Sequence, residues 1–244
     1  MKDNFSSQAA DYSQFRPHYP VAMMEYIMGF VGDRNCALDV ATGNGQVAVL
    51  LSPYFDQVFA TDISVRQLEN AVVKSNIVYR QQSAEHTDFK DKSFDLISVA
   101  QAIHWFEFND FYSEVYRILK PDGIFAVLGY GLFATNPNSD AILRHYYHEI
   151  IGPYWDSERK YIDAHYQTIP FPFDEIQTKS FENNFVWTFD QLVGYLKTWS
   201  ATQHYKDKNG ADPIALIHDE LKISWDKNDQ QVTFPLLLRI GKLK

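Results

Sequence analysis

A single cysteine, Cys36, stands among 244 residues, so no internal disulfide can form and the fold must rest on packing alone. Basic residues are in deficit: 22 Lys and Arg face 31 Asp and Glu, a formal charge of −9. No basic run is longer than a pair. A chain without a basic stripe has little with which to grip a phosphate backbone or an anionic bilayer, so nucleic acid and membrane fall outside its expected partners. Apolar runs such as Val47–Leu51 and Pro235–Leu238 are far shorter than the roughly 20 residues of a spanning helix. The start, Met1-Lys2-Asp3-Asn4, leads into polar residues rather than an apolar signal region, which reads as a cytoplasmic protein. The histidines show neither H-E-x-x-H nor Cys/His ligand spacing, so no metal is expected.

What is present is ample apolar material, 45% hydrophobic and 16% aromatic, enough for a core that folds alone. From Cys36 to about Tyr130, short β-branched runs alternate with helix-period segments, the signature of βαβ units on a parallel sheet. Strands are predicted over Cys36–Ala41, Gln57–Thr61, Ile77–Arg80, Phe94–Ala100 and Gly123–Tyr130. Helices are predicted over Gln46–Leu51, Val65–Lys74 behind Ser64 as N-cap, and Asp110–Leu119, the last closed by Lys120-Pro121-Asp122-Gly123. In the second helix Leu68, Ala71 and Val72 share one apolar face. Beyond Leu132 the texture loosens, and Tyr, Trp, His and Pro crowd residues 136–172. A strand over Ser180–Trp187, helices over Thr188–Ser200 and Pro213–Trp225, and a final strand over Gln231–Ile240 complete the reading. The expected organisation is one domain over 1–244, made of an N-terminal helical lid (1–34), a binding core (35–131), an insertion (132–180) and C-terminal elements that finish the sheet (181–244).

The chemistry gathers at Ala37-Leu38-Asp39-Val40-Ala41-Thr42-Gly43-Asn44-Gly45-Gln46, an apolar strand that ends in a Gly-rich turn and opens a helix. Glycine is needed where a backbone turns tightly and lets a ligand approach, because a Cβ blocks both. Asp62, at the end of the next strand, can accept hydrogen bonds from ribose hydroxyls. A nucleoside-type ligand follows. Gly43-Asn44-Gly45-Gln46-Val47-Ala48 also satisfies the G-x-G-x-x-A dinucleotide pattern, which keeps a nicotinamide-dependent oxidoreductase as an alternative. Asp39 weighs against it, since an acid before the turn repels a pyrophosphate and suits a ligand with positive charge.

Asp39-x-Ala41-x-Gly43-x-Gly45, Asp62-Ile63-Ser64, Ser83-Ala84-Glu85, Phe94-Asp95-Leu96-Ile97 and Arg117-Ile118-Leu119-Lys120-Pro121-Asp122-Gly123, in that order, resemble the motif series of class I S-adenosylmethionine-dependent methyltransferases over residues 36 to 130. The resemblance implies an α/β fold, a Rossmann-like doubly wound sheet of order 3-2-1-4-5-7-6 with the last strand antiparallel, and S-adenosyl-L-methionine as cofactor. It implies that Asp39 faces the methionine ammonium directly or through water, and that Ala41, Thr42, Gly43 and Gly45 wrap the methionine moiety. Asp62 would hold the ribose, Ile63 would pack on the adenine, and Ala84 and Glu85 would lie at its edge. Ala100 and Gln101 would sit near the methionine part. Ala41 stands where the family usually has its first glycine. A non-catalytic S-adenosylmethionine-binding protein remains a further alternative.

Methyl transfer from a sulfonium is an in-line displacement, so positioning is the main task and no nucleophilic triad is required. Two segments outside the cofactor motifs suit an acceptor site. Tyr12-x-x-x-Arg16-Pro17-x-Tyr19-Pro20 resembles the N-terminal lid of small-molecule methyltransferases of the trans-aconitate methyltransferase-like group, and His104-Trp105 resembles that group's His-Trp pair. Tyr154-Trp155 with Arg159, and Leu196 to Ser200, resemble it more loosely. The candidates for catalysis are His104 and Arg16, and those for acceptor binding are Tyr12, Arg16, Tyr19, His104 and Trp105. Arg16 can clamp a carboxylate bidentately. With an ordinary pKa of about 6.5, His104 suits general-base work on a hydroxyl or amine, and it only orients a carboxylate. Trp155, Arg159 and Tyr161 are read as the core of the insertion. The expected acceptor is a small carboxylic or hydroxylated metabolite methylated on O or N; nothing in the sequence identifies it further or sets the oligomeric state.

Overall fold

The computed structural model of the protein describes residues 16–244, and Tyr12 lies outside them. A parallel core is formed by β1 (Cys36–Val40), β2 (Gln57–Asp62), β3 (Ile77–Gln81), β4 (Phe94–Ala100) and β5 (Leu119–Tyr130). β8 (Gln231–Lys242) runs antiparallel beside β5, and the edge beyond it is shared by β6 (Asp174–Ile176) and β7 (Phe181–Val186). The order is β3-β2-β1-β4-β5-β8-β6, with β7 also on β8. This is the expected topology, with the outer strand broken in two. β1 pairs with β2 on one side and β4 on the other. The strand order therefore reverses at β1, and the crevice beyond the carboxyl ends of β1 and β4 is where open α/β sheets bind ligands.

Both faces of the sheet are covered, as the near-continuous apolar run of β4 requires. On one face lie α1 (Val21–Met28), which buries Met23, Met24 and Ile27, and α2 (Gln46–Leu51). On the other lies α4 (Phe108–Ile118), with Phe111, Val115 and Ile118 on one buried stripe as its spacing predicts. The Lys120–Gly123 turn does not precede β5 but is taken up within it. Phe94 pairs with Leu119 and Leu96 with Ile124, so the turn bulges out of the β4–β5 ladder.

Three helices depart from expectation, and the one predicted over Pro213–Trp225 is a 3₁₀ turn over Pro213–Leu216 followed by a separate helix from His218. α3 spans only Val65–Glu69, although Ser64 caps it as predicted, accepting from the Gln67 amide at 3.3 Å. The Asn70 side chain donates to the Arg66 carbonyl at 2.7 Å and the chain leaves the helix there, in the way a short polar amide competes with helical bonding. Of the expected apolar face, Leu68 and Ala71 are half-buried while Val72, past the helix end, is left 54% exposed. The helix expected over Thr188–Ser200 is two. α7 (Phe189–Lys197) opens with a capping box between Thr188 and Gln191, and α8 (Ser200–Asn209) follows after Trp199 in extended conformation. α5 (Pro137–His145) and α6 (Arg159–Asp163) belong to the segment between β5 and β6, and α9 (His218–Asp226) packs near α5 and α7. Among the described residues no helix is long and apolar enough to cross a membrane.

Candidate active site

At the carboxyl end of β1 the backbone adopts left-handed φ at alternate residues, Ala41 (51°), Gly43 (57°) and Gly45 (85°). Ala41 thus takes the glycine-like conformation despite its Cβ, a strain that tends to be kept where function needs it. A Cβ built on Gly43 would meet only the Gln67 amide oxygen, at 3.9 Å, so this part of the turn faces open space. That space is a cleft lined by Arg16, Tyr19, Asp39, Ala41, Thr42, Gly43, Ala100, Gln101 and neighbouring residues. The turn, the strand ends and the N-terminal stretch predicted from sequence thus converge.

Asp39 is 1% exposed. One carboxylate oxygen accepts from the Thr42 hydroxyl at 2.5 Å and the Ala48 amide at 3.1 Å, and the other from the Ser98 hydroxyl at 2.8 Å. Burial pushes its pKa up to about 6, against the pull of those three donors. A cation beside it would favour its charged form. Asp62 ties the site together: one oxygen accepts from the Gly43 amide at 2.9 Å, the other from the Ser64 amide at 2.8 Å. The carboxylate therefore bridges the glycine turn and the start of α3.

Gly45, packed against Tyr79, does not line the cavity itself, nor do Asp62, Ile63, Ala84 and Glu85. Ala84 and Glu85 are buried. Burial raises the Glu85 pKa, but the Ser83 hydroxyl and backbone amides, Glu107 among them, outweigh it and hold the carboxyl below its ordinary range.

A second cavity is lined by Arg16, Gln101, His104, Trp105, Trp155, Asp156, Arg159, Ile162, Trp199 and Ser200. Arg16 and Gln101 belong to both, so the two spaces adjoin. Arg16 donates to the Tyr130 hydroxyl and to the Thr198 carbonyl, each at 3.0 Å, and its guanidinium lies 5.4 Å from the Tyr195 ring centre. Arg159 and Trp155, expected in the core of the insertion, are instead cavity residues, while Tyr161 does pack inward, edge to face on Phe108. The Arg159 guanidinium sits 4.5 Å from the Trp155 ring and 5.1 Å from Tyr147. Its Nε donates to the Tyr147 hydroxyl at 2.6 Å and to Asp163 at 3.2 Å. Only the i, i+4 spacing of Arg159 and Asp163 hinted at this anchoring.

His104 is 5% exposed, on the short 3₁₀ turn Ile103–Trp105 that follows β4. Burial, with the nearby positive charge of Arg159, drives its pKa down to about 3. The imidazole is neutral at physiological pH, and it is a far weaker base than its ordinary pKa implied.

A family profile of the methyltransferase domain matches residues 38–127. A protein of Dictyostelium discoideum named as a methyltransferase is 33% identical over 249 residues, covering 98% of this chain and 95% of its own. The chain belongs to the class I S-adenosylmethionine-dependent methyltransferases. The structure of a type II methyltransferase from Anaeromyxobacter dehalogenans superposes on this methyltransferase with a TM-score of 0.86 at 34% identity, covering 93% of this chain and 98% of that one. A Saccharomyces cerevisiae protein named as an S-adenosylmethionine-dependent methyltransferase is 26% identical and covers 86% of this chain and 84% of its own. The nicotinamide reading of the glycine turn is thereby replaced. This methyltransferase presents, at its β1–β4 crevice, a glycine cradle with open space before Gly43 and a buried carboxylate whose pKa burial has raised, and both fit a cationic nucleoside cofactor.

Proposed function

We propose that this methyltransferase moves the methyl group of S-adenosyl-L-methionine to an O or N atom of a small carboxylic or hydroxylated metabolite, which sits in the cavity bounded by Arg16, His104, Trp105 and Arg159. The observation that carries this reading is that the two cavities adjoin at Arg16 and Gln101. Ala41, Thr42, Gly43, Gly45, Ala100 and Gln101 hold the methionine part by backbone and small side chains. Asp39 supplies charge for its ammonium, directly or through water, and Asp62 binds the ribose, with Ile63, Ala84 and Glu85 around the adenine. The cofactor supplies an electrophilic methyl on a sulfonium, and since its charge is neutralised as transfer proceeds, a dry site helps.

On the acceptor side, the stacked Arg159 has both terminal amino groups without a hydrogen-bond partner among the described residues, which suits an anion. Trp105, Trp155 and Trp199 provide apolar walls. Tyr12, outside the described residues, completes the acceptor side in this proposal; Tyr19, expected there too, instead lines the cofactor cavity beside Arg16, and the stretch before α1 acts as a lid that excludes water. A small carboxylic or hydroxylated acceptor accords with the resemblance to the trans-aconitate methyltransferase-like group, and a cytoplasmic setting with the lone Cys36. The test is methyl transfer from labelled cofactor across a panel of small hydroxy, amino and dicarboxylic acids. Label entering one of them supports the reading, and label entering only macromolecules overturns it.

A further inference from the structure

Between the two cavities lies a hydrogen-bonded chain whose directions can be worked out from its fixed end. The Gln101 side chain is clamped to the backbone of Tyr130: its Nε2 donates to the Tyr130 carbonyl at 3.1 Å, and its Oε1 accepts from the Tyr130 amide at 3.2 Å. A backbone amide can only donate and a carbonyl only accept, so the orientation of this amide is settled. Oε1 also meets the Tyr166 hydroxyl at 3.2 Å, and since an amide oxygen cannot donate, Tyr166 must. The tyrosine's single proton is then spent. Its oxygen lies 3.2 Å from Nδ1 of His104, and the hydrogen of that contact has to come from the imidazole.

Much of the local backbone serves this chain. Gln101, His165 and Tyr166 all have left-handed φ, at 54°, 52° and 60°, conformations that non-glycine residues seldom adopt. Gly129 makes room for it, since a Cβ there would come within 2.7 Å of the Tyr166 ring and 2.9 Å of Gln101 Oε1. Arg239 of β8, buried and paired with Glu175, holds the turn by donating to the carbonyls of Tyr166 at 2.9 Å and Ile169 at 2.8 Å.

We propose that the Gln101–Tyr166 chain fixes His104 as its Nδ1–H tautomer, so that Nε2 offers the acceptor cavity a lone pair, and that the atom methylated here is a hydroxyl or amine bearing a hydrogen rather than a carboxylate oxygen. This inference rests on the proposed acceptor site and narrows its chemistry. A carboxylate oxygen set against the Nε2 lone pair would find acceptor facing acceptor, whereas an O–H or N–H nucleophile is oriented by it. A carboxyl group on the same metabolite belongs at Arg159, as an anchor. When the heteroatom's lone pair forms its bond to carbon, the carbon–sulfur pair stays on sulfur. A methylated hydroxyl is then an oxonium, acidic enough to yield its proton to Nε2 of a weakly basic imidazole, whereas a methylated amine, oriented through its N–H, keeps the proton as an ammonium and gives it up to solvent after release. Tyr166 is thus a positioning residue, acting through His104.

Long-range ¹⁵N–¹H spectra of the histidine-labelled full chain test the tautomer without any acceptor. The expected result is a neutral His104 with protonated Nδ1 and bare Nε2, converting largely to the Nε2–H form in Tyr166→Phe. A wild-type Nε2–H tautomer, or a tautomer unmoved by Tyr166→Phe, overturns the proposal. Calorimetry with S-adenosylhomocysteine, run beside it, separates this from the broader reading: normal binding with the wrong tautomer sinks only the chain, while the right tautomer without binding sinks only the cofactor site. In turnover, Tyr166→Phe should lower kcat about tenfold, the effect of one lost hydrogen bond, and leave the cofactor KM unchanged. The methylated product should survive mild alkali, and a product that alkali cleaves, as it does a methyl ester, overturns the acceptor assignment.

Discussion

Gly43 and Gly45 are two residues apart, share left-handed φ, and are expected to fail in different ways when substituted. At Gly45 a Cβ would lie 2.2 Å from the Tyr79 hydroxyl, while at Gly43 it meets nothing closer than 3.9 Å. Gly45→Ala should therefore lose roughly 1–3 kcal/mol of stability through overpacking and strain. Gly43→Ala should lose about 1 kcal/mol, the cost of left-handed φ alone, yet weaken S-adenosylhomocysteine binding more. Thermal denaturation and calorimetry on the pair check this, and equal losses of stability would refute the distinction. Asp62→Ala removes charge-assisted hydrogen bonds worth about 1.5–3 kcal/mol each, so cofactor affinity should fall at least tenfold; calorimetry showing no change would remove the ribose assignment. At this scale the sequence was most informative where spacing is local. The strand–turn–helix run from Asp39 to Gln46 announces a ligand by itself, and its cavity is where that run places it. Arg159 and Tyr166 were illegible because their roles depend on tertiary neighbours, Trp155 and Tyr147 for one and Gln101 and His104 for the other.

The stretch Arg16–Pro20 behaves as a strap. Arg16 reaches β5 through Tyr130 and the α7–α8 junction through Thr198, and the Asn183 side chain donates to the His18 carbonyl. Arg16→Ala should then cost turnover much more than cofactor affinity, by about tenfold or more for the loss of its bonds. Steady-state kinetics with an established acceptor checks this, and unchanged kcat would release Arg16 from any part in closure. The strap docks where α7 breaks, and that break was hidden in the sequence. Thr198 and Trp199 fit a helical period, but Trp199 is 1% exposed and sits among Tyr146, Tyr147, Trp155 and Tyr195, and packing overrides propensity. Capping, by contrast, was readable for Ser64. Thr188→Ala at the start of α7 should lower stability by about 1 kcal/mol, measurable by urea unfolding.

For the molecule as a whole, two buried groups give stability an unusual acid limb. His104 has its pKa depressed from 6.5 to about 3, so the folded state releases a proton that the unfolded state holds between those values. Its contribution is complete above pH 6.5 and is lost as pH falls toward 3, by at most about 1.4 kcal/mol per pH unit. Asp39, raised from 3.8 to about 6, runs the other way: its penalty is complete above pH 6 and is relieved as pH falls through that window. The two oppose each other between pH 4 and 6. His104→Asn should unmask Asp39, making the variant more stable at pH 5 relative to its own value at pH 7 than the parent is. Urea unfolding at both values decides it, and parallel behaviour in the two proteins would mean that His104 is not held neutral. The strand order was anticipated because the motif series carries it, whereas the division of the outer strand into β6 and β7 was not, since nothing local marks residues 177–180 as a gap.

The position of β8 has a further consequence, for biosynthesis. It is the last strand of the sheet in chain order, yet it lies inside the sheet, with β5 on one side and β6 and β7 on the other. While a ribosome is still adding residues 131–230, β5 has its full apolar length, Phe125 to Leu128 included, on an open edge. Such an edge pairs readily with other chains, and pairings this distant in sequence form slowly. Soluble yield should accordingly respond to slower translation, lower growth temperature or chaperone supply far more than to any substitution in the cofactor turn.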